Sequence, residues 1–415
     1  MPATTDVPET ATATESTAVT ITAPFDTMTE PPEHLSPRWL LPWDDGFLAV
    51  GVRYPQALPA EFTPEVSELF PPEVVALFPD GLPPTQQEAV NTLTEAGLLE
   101  VVMDVLNEHP EVMDQIQSAP ALDPELLASW STNGDAWTPT ELLPPNPIGD
   151  TPAVAVSGDR LTIAGSSWPD DESDAWIVTV SSTTDLQFWD TASFTVARPK
   201  GMSPAEEFWV TPDMVAANDD HWVVRVMVQD SKELWSGAWD GEPTMIDARL
   251  TWRTLLATSD GFLGLGPGIE FSPDGTTWTP AANYWIEAAA PLGDGVLAIA
   301  RAFDRSSKIL LLDATGTLIT EVRVPELDDR FSAWGPFSSP AVIVMPESLD
   351  AGEQQLPSLL ATADAETWLV AELSDYEPNL WRPPDVAATD GTIVLVGTPG
   401  SEPQADVWQR FIIPE

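Results

Sequence analysis

Asp260-Gly261-Phe262-Leu263-Gly264-Leu265-Gly266, followed closely by Ser272-Pro273-Asp274-Gly275-Thr276-Thr277-Trp278, is the stretch on which the fold turns. The first part reads as a tight turn feeding a short apolar strand. In the second, the Asp274 carboxylate can take backbone N–H bonds inside a hairpin, Gly275 can adopt positive φ, and Trp278 can cover the turn. The pair therefore reads as two neighbouring hairpins of one small antiparallel sheet.

Both parts recur. Strand anchors of the first kind stand at residues 45–51, 158–165, 220–226, 294–300 and 390–397, and Ala341-Val342-Ile343-Val344 is a copy without the turn pair. The second pattern, Ser or Thr, any residue, Asp or Asn, three residues, then Trp, returns at Ser131–Trp137, Thr183–Trp189 and Thr362–Trp368. Weaker turns lie at Asp240-Gly241 and at Asp313. Roughly 35 to 55 residues per repeat, each with about four short strands, predict an all-β propeller, and seven anchors predict seven blades. The last strand, near Phe411, leaves the seventh blade short of a strand. Residues from Val19 to Phe25 are expected to supply it, because an open strand edge invites aggregation.

Two segments break the period. Residues 1–34 hold ten Thr, six acids and no Lys or Arg, and read as a disordered tail. Within the propeller expected over 35–415, residues 63–128 read as a helical insertion in blade one. Pro and Glu open its turns at Thr63, Pro71, Glu111 and Glu125; Thr85-Gln86-Gln87-Glu88 forms a capping box, with Gly97 as the stop.

The chain has 415 residues with 66 acidic and 16 basic side chains, a formal charge of -50. Three Lys and thirteen Arg cannot track a phosphate backbone, so nucleic acid is excluded as a partner, and an anionic membrane surface with it. No apolar run is long enough to span a bilayer, and no signal peptide begins at Met1. There is no Cys and only three His, which removes disulfides and thiolate metal sites. Self-repulsion at this charge predicts a fold that is more stable in molar salt.

The Ser272–Trp278 copy resembles the Asp-box, or BNR repeat, of sialidase-like β-propellers, with Ser272, Asp274, Gly275, Thr277 and Trp278 in the motif positions. The resemblance implies a structural role for those residues, away from any active site. It also implies what an exo-glycosidase would need: three Arg on a substrate carboxylate, a Tyr nucleophile with a Glu partner, and an Asp acid and base. Arg53, Arg225 and Arg301, lying at or beyond anchor strands, and Tyr284 with Glu287 are the candidates. Tyr54 and Tyr376 are the remaining tyrosines, and none of these residues stands in a catalytic motif.

Asp170, Asp171 and Asp174 form an acidic loop with oxygens enough for Ca²⁺ but without the spacing of an EF-hand, so no cofactor is expected. Trp39, Trp43, Trp285 and Trp334 precede anchors and could line a sugar-binding funnel. The expected function is a secreted or surface-displayed binding or scaffold module for a protein or glycan, docking through residues 63–128. A sialidase-like glycosidase and a cation-dependent envelope protein are the alternatives.

Overall fold

The computed structural model describes residues 14–15, 17–20, 35, 37–53, 58, 69–78, 82–83, 85–109, 112, 116, 124–143, 151–167, 175–203, 208–246, 251–301, 307–324, 334–337, 341–345, 358–372, 385–389, 392–397 and 407–412. The chain divides into two compact units, Val52–Leu126 and the remainder. In chain order the strands of the larger unit begin with β1 (Thr14–Glu15) and β2 (Thr17–Thr20). A first sheet holds β3 (Pro37–Trp43), β4 (Gly46–Arg53), β5 (Glu125–Ser131) and β6 (Glu141–Leu143). The second holds β7 (Ala153–Ser157), β8 (Arg160–Ser167), β9 (Ala175–Thr183) and β10 (Asp190–Ala197). The third holds β11 (Val210–Ala217), β12 (His221–Val228), β13 (Ser231–Ala238) and β14 (Thr244–Ile246).

The fourth sheet is β15 (Thr254–Thr258), β16 (Gly261–Leu265), β17 (Ile269–Ser272) and β18 (Thr279–Ala282). The fifth contains β19 (Trp285–Leu292), β20 (Gly295–Arg301), β21 (Ser307–Leu312) and β22 (Leu318–Arg323). The sixth contains β23 (Trp334–Phe337), β24 (Ala341–Met345), β25 (Ser358–Thr362) and β26 (Thr367–Glu372). A last sheet has three strands, β27 (Asp385–Thr389), β28 (Thr392–Gly397) and β29 (Val407–Ile412).

Each sheet is an up-and-down meander. The first strands neighbour one another in chain order from β3 to β23, and β27 lies against both β24 and β3. Apolar layers fill the spaces between neighbouring sheets. Val178, Val180 and Phe194 meet Val224 and Val226; Leu263 and Ile269 meet Val296 and Leu310; Phe47 and Ala49 meet Ala387 and Val394. Sheets stacked face to face around their first strands are the architecture of an all-β propeller.

The tail departs from expectation. β1 adds parallel to β22, and β2 adds parallel to β26, with Val19 opposite Leu369. Val19 and Thr20 therefore extend the sixth sheet and do not pair with Phe411; Ile21–Phe25 lie outside the described residues. A short Thr17-Ala18-Val19-Thr20 segment suits any open edge, so its pattern does not select which edge it joins.

The turns between third and fourth strands repeat one geometry. In the fourth sheet Asp274 Oδ1 accepts the N–H groups of Thr276 (2.9 Å) and Thr277 (3.3 Å), and Trp278 Nε1 donates to Gly275 O (3.0 Å). Gly275 has φ +77°, and a Cβ there would stand 2.5 Å from Val223 and Ser236 of the third sheet. The same carboxylate cradle forms around Asp185 and Asp364, and Asn133 Oδ1 takes its place in the first sheet. There Gly134, at φ +70°, meets Val394 of the last sheet. Burial raises the carboxyls of Asp274, Asp313 and Asp364, but the hydrogen bonds they accept outweigh it and hold each below the ordinary value. At Asp185 the N–H groups of Phe188 and Gln187 act in the same direction.

The smaller unit contains α1 (Pro72–Ala76), α2 (Gln86–Glu95) and α3 (Leu99–Glu108) around Phe70, Val74, Leu93, Val102, Leu106 and Val112. Thr85 caps α2 by accepting from Glu88 N at 3.3 Å. The turn expected from Glu125 is instead the start of β5, where the apolar run Leu126-Leu127-Ala128 is buried in the sheet. No described helix is long and apolar enough to cross a membrane.

Candidate functional site

Proline at position 212 has no N–H to give the ladder, and β11 bulges there: Pro212 opposes Val226, Met214 opposes Arg225, and Asp213 is the extra residue. The bulge turns Asp213 onto Arg225. Arg225 Nε reaches Asp213 Oδ1 at 2.9 Å and Nη2 reaches Oδ2 at 2.6 Å, while Nη1 donates to Trp252 O at 2.5 Å. Arg225 is only 4% exposed, so its charge requires this full set of acceptors.

The Trp252 carbonyl ties the third sheet to the entry of the fourth. Trp252 itself is buried, its Nε1 on Glu270 Oε2 at 2.9 Å and its ring 4.3 Å from that of Trp278. The next residue, Arg253, is exposed, and its guanidinium carbon lies 5.5 Å from the ring centre of Trp285. Among the described residues no carboxylate pairs with Arg253, in a chain with 66 acids for 16 bases. Trp285 is 46% exposed at the head of β19.

Asp213 and Arg253 meet at a cavity of about 540 Å³ formed where the first strands run side by side. Trp39 of β3, Thr151 ahead of β7, Asp213 and Met214 of β11, and Arg253 and Thr254 line it. It offers an aromatic face, hydroxyls, a carboxylate already engaged by Arg225, and a cation whose partner is an aromatic ring. Such a wall can stack on a ring and hydrogen-bond its polar substituents.

Of the three arginines singled out from sequence, only Arg225 is tied to this cavity, and it is tied through Asp213, not as a lining residue itself. Arg53 pairs with Glu125 in the neighbouring strand, and Arg301 pairs with Glu287 at 2.9 Å. Glu287 is itself a bulge residue, in β19, so its carboxylate is taken by Arg301. Tyr284 packs on the apolar layer of Leu265, Ile269 and Ile286 and makes no hydrogen bond to Glu287. Trp43 is buried beside a second, smaller cavity, and Trp334 lies in β23. Asp170, Asp171, Asp174, Tyr54 and Tyr376 lie outside the described residues. Among the described residues no three His, Asp or Glu gather as a metal site. Sequence reading missed Asp213 and Arg253; the one signal was the Trp252-Arg253 pair directly ahead of a strand.

No protein-family model matches the chain, and no curated protein matches it. Among solved structures it is similar to the β-propeller domain of the Trilobed protease from Pyrococcus furiosus, at 10% identity over 60% of this chain and 80% of that one, with TM-score 0.36. It is also similar to an α-L-arabinanase from Penicillium chrysogenum complexed with arabinobiose, at 12% identity over 69% of this chain and 85% of that one, with TM-score 0.32.

Proposed function

We propose that the seven sheets are the blades of one ring, that the Asp turns are Asp-boxes, and that the protein is a non-catalytic glycan-binding propeller. The ring closes where β27 lies against β3 and where Gly134 meets Val394. The observation that carries the binding assignment is Arg253, held over Trp285 with no described carboxylate partner, at a cavity that also presents Asp213 and Trp39. Trp39 or Trp285 stacks on a sugar ring, the Asp213–Arg225 pair accepts and donates to hydroxyls, and Arg253 takes a carboxylate or sulfate on the sugar. Asp213 is the only carboxylate among the described lining residues and is bidentate to Arg225, whereas glycoside hydrolysis by the common route uses two free carboxyls. A secreted or surface location suits such a module.

Titration with uronic-acid oligosaccharides and their neutral counterparts, followed by tryptophan fluorescence, tests the reading. The acidic sugars bind more tightly, and Trp285→Ala or Arg253→Met weakens them about tenfold, the loss of one stacked or charge-assisted contact worth about 1.4 kcal/mol. Reducing sugar released by the wild-type protein and abolished by Asp213→Asn would replace this reading with a glycosidase.

A further inference from the structure

The Asp turn of the second sheet carries a bulky apolar side chain at its left-handed position, where the sixth sheet's turn carries only the methyl of Ala365. Where the turns of the first and fourth sheets place Gly134 and Gly275 at the left-handed position, this one places Leu186, at φ +61°. The glycines leave no room for a side chain against the preceding sheet. Leu186 instead lines a cavity of about 230 Å³ whose apolar floor is Trp43, Leu48 and Leu143 of the first sheet. A leucine is strained at positive φ, and Asp44 in the turn between β3 and β4, also at positive φ (+52°), lines the same cavity, so two turns with unfavourable backbones border it.

The rim adds two further features. Asp44 and Glu141 line the cavity, and no described Lys or Arg does. Phe188, two residues beyond Leu186, is 78% exposed. Phe188 is the most exposed of the large apolar side chains among the described residues. An apolar hole with an acidic border, reached by a turn that also exposes a phenylalanine, fits a side chain carried between cations.

We infer that this groove docks a basic segment of a protein partner, which inserts one apolar side chain against Trp43 and Leu186 while flanking Lys or Arg face Asp44 and Glu141. The site is separate from the glycan cavity and does not depend on it.

The test is fluorescence anisotropy at low salt with labelled heptapeptides of Lys and Arg around a central Leu, Phe or Trp, against the same peptide with a central Ser. At least one apolar peptide binds about tenfold more tightly than the Ser peptide, and Phe188→Ser and Glu141→Lys each remove that advantage. The glycan-site variant Trp285→Ala retains it. Equal binding of apolar and Ser peptides would reduce the attraction to overall charge and overturn the inference. So would unchanged selectivity in both groove variants. Sedimentation showing a dimer that Phe188→Ser dissociates would also overturn it, by assigning the patch to a second copy of the chain.

Discussion

The two ends of the strands in this propeller follow opposite rules. At the turns between third and fourth strands, Asp185, Asp274 and Asp364 make the same bonds in three sheets, and Asn133 makes them in a fourth. At the first strands the bulges carry different residues: β3 shifts register around Arg38, β11 around Asp213 and β19 around Glu287. Repetition follows from a need that every blade shares, to lock a turn against its neighbour. The bulges instead meet needs local to each sheet, as Asp213 does for the buried Arg225 and Glu287 for Arg301.

The largest effects should separate Arg225 from Arg253. Arg225→Ala leaves Asp213 and the Trp252 carbonyl without their donor and costs about 3–5 kcal/mol in urea unfolding, as breaking a buried pair does. Arg253→Ala, at an exposed position, changes stability by no more than about 0.5 kcal/mol. Equal losses would erase the distinction between a structural and a recognition arginine.

Next comes a pair of glycines. Gly275→Ala strains φ and drives a methyl into Val223 and Ser236, for about 3 kcal/mol. Gly97→Ala in the helical unit has similar φ but open space around it, and costs about 1–2 kcal/mol. Comparable melting shifts would mean that the turn is not wedged against the third sheet.

Asp274→Ala should cost about 1–3 kcal/mol by freeing the Thr276 and Thr277 N–H groups. Asp274→Asn should cost less than about 1 kcal/mol, since Asn133 already shows that an amide oxygen suffices.

The smallest effect is in pH. Because Asp185, Asp274, Asp313 and Asp364 are lowered from 3.8 in the fold, their ionised forms stabilise it. That contribution is complete above the unfolded value and is lost as pH falls through the folded ones. Melting temperatures between pH 5 and pH 2 should therefore fall less steeply in Asp274→Asn than in the wild type. Parallel curves would assign acid sensitivity elsewhere.

The turns were legible in the sequence because their chemistry is local: a carboxylate binds N–H groups two and three residues ahead, and any reader of spacing sees it. Strand anchors were legible for the same reason. The cavity was not. Asp213 meets Arg225 through a bulge that alternation does not reveal, and Arg253 meets Trp285 across 32 residues because β15 and β19 lie side by side. Arg53 and Arg301 looked available by strand position, but with four acids to each base a strand arginine readily finds a carboxylate close by, here Glu125 and Glu287. Pro124-Glu125 imitates the first turn of a helix, and only the burial of Leu126-Leu127-Ala128 between sheets makes it a strand.

Asn133-Gly134 carries a consequence in chemical ageing. An Asn-Gly pair deamidates when the glycine nitrogen attacks the amide carbon and closes a succinimide, yet here the Gly134 N–H is committed to Ser131 Oγ at 2.9 Å. The folded turn therefore slows the reaction, and any unfolding of the first sheet releases it. Ring opening to aspartate would give this turn the same acceptor that Asp185, Asp274 and Asp364 already supply. Opening to isoaspartate would lengthen the backbone by one carbon at the point where Gly134 meets Val394, so that ageing would first loosen the junction at which the first and last sheets meet.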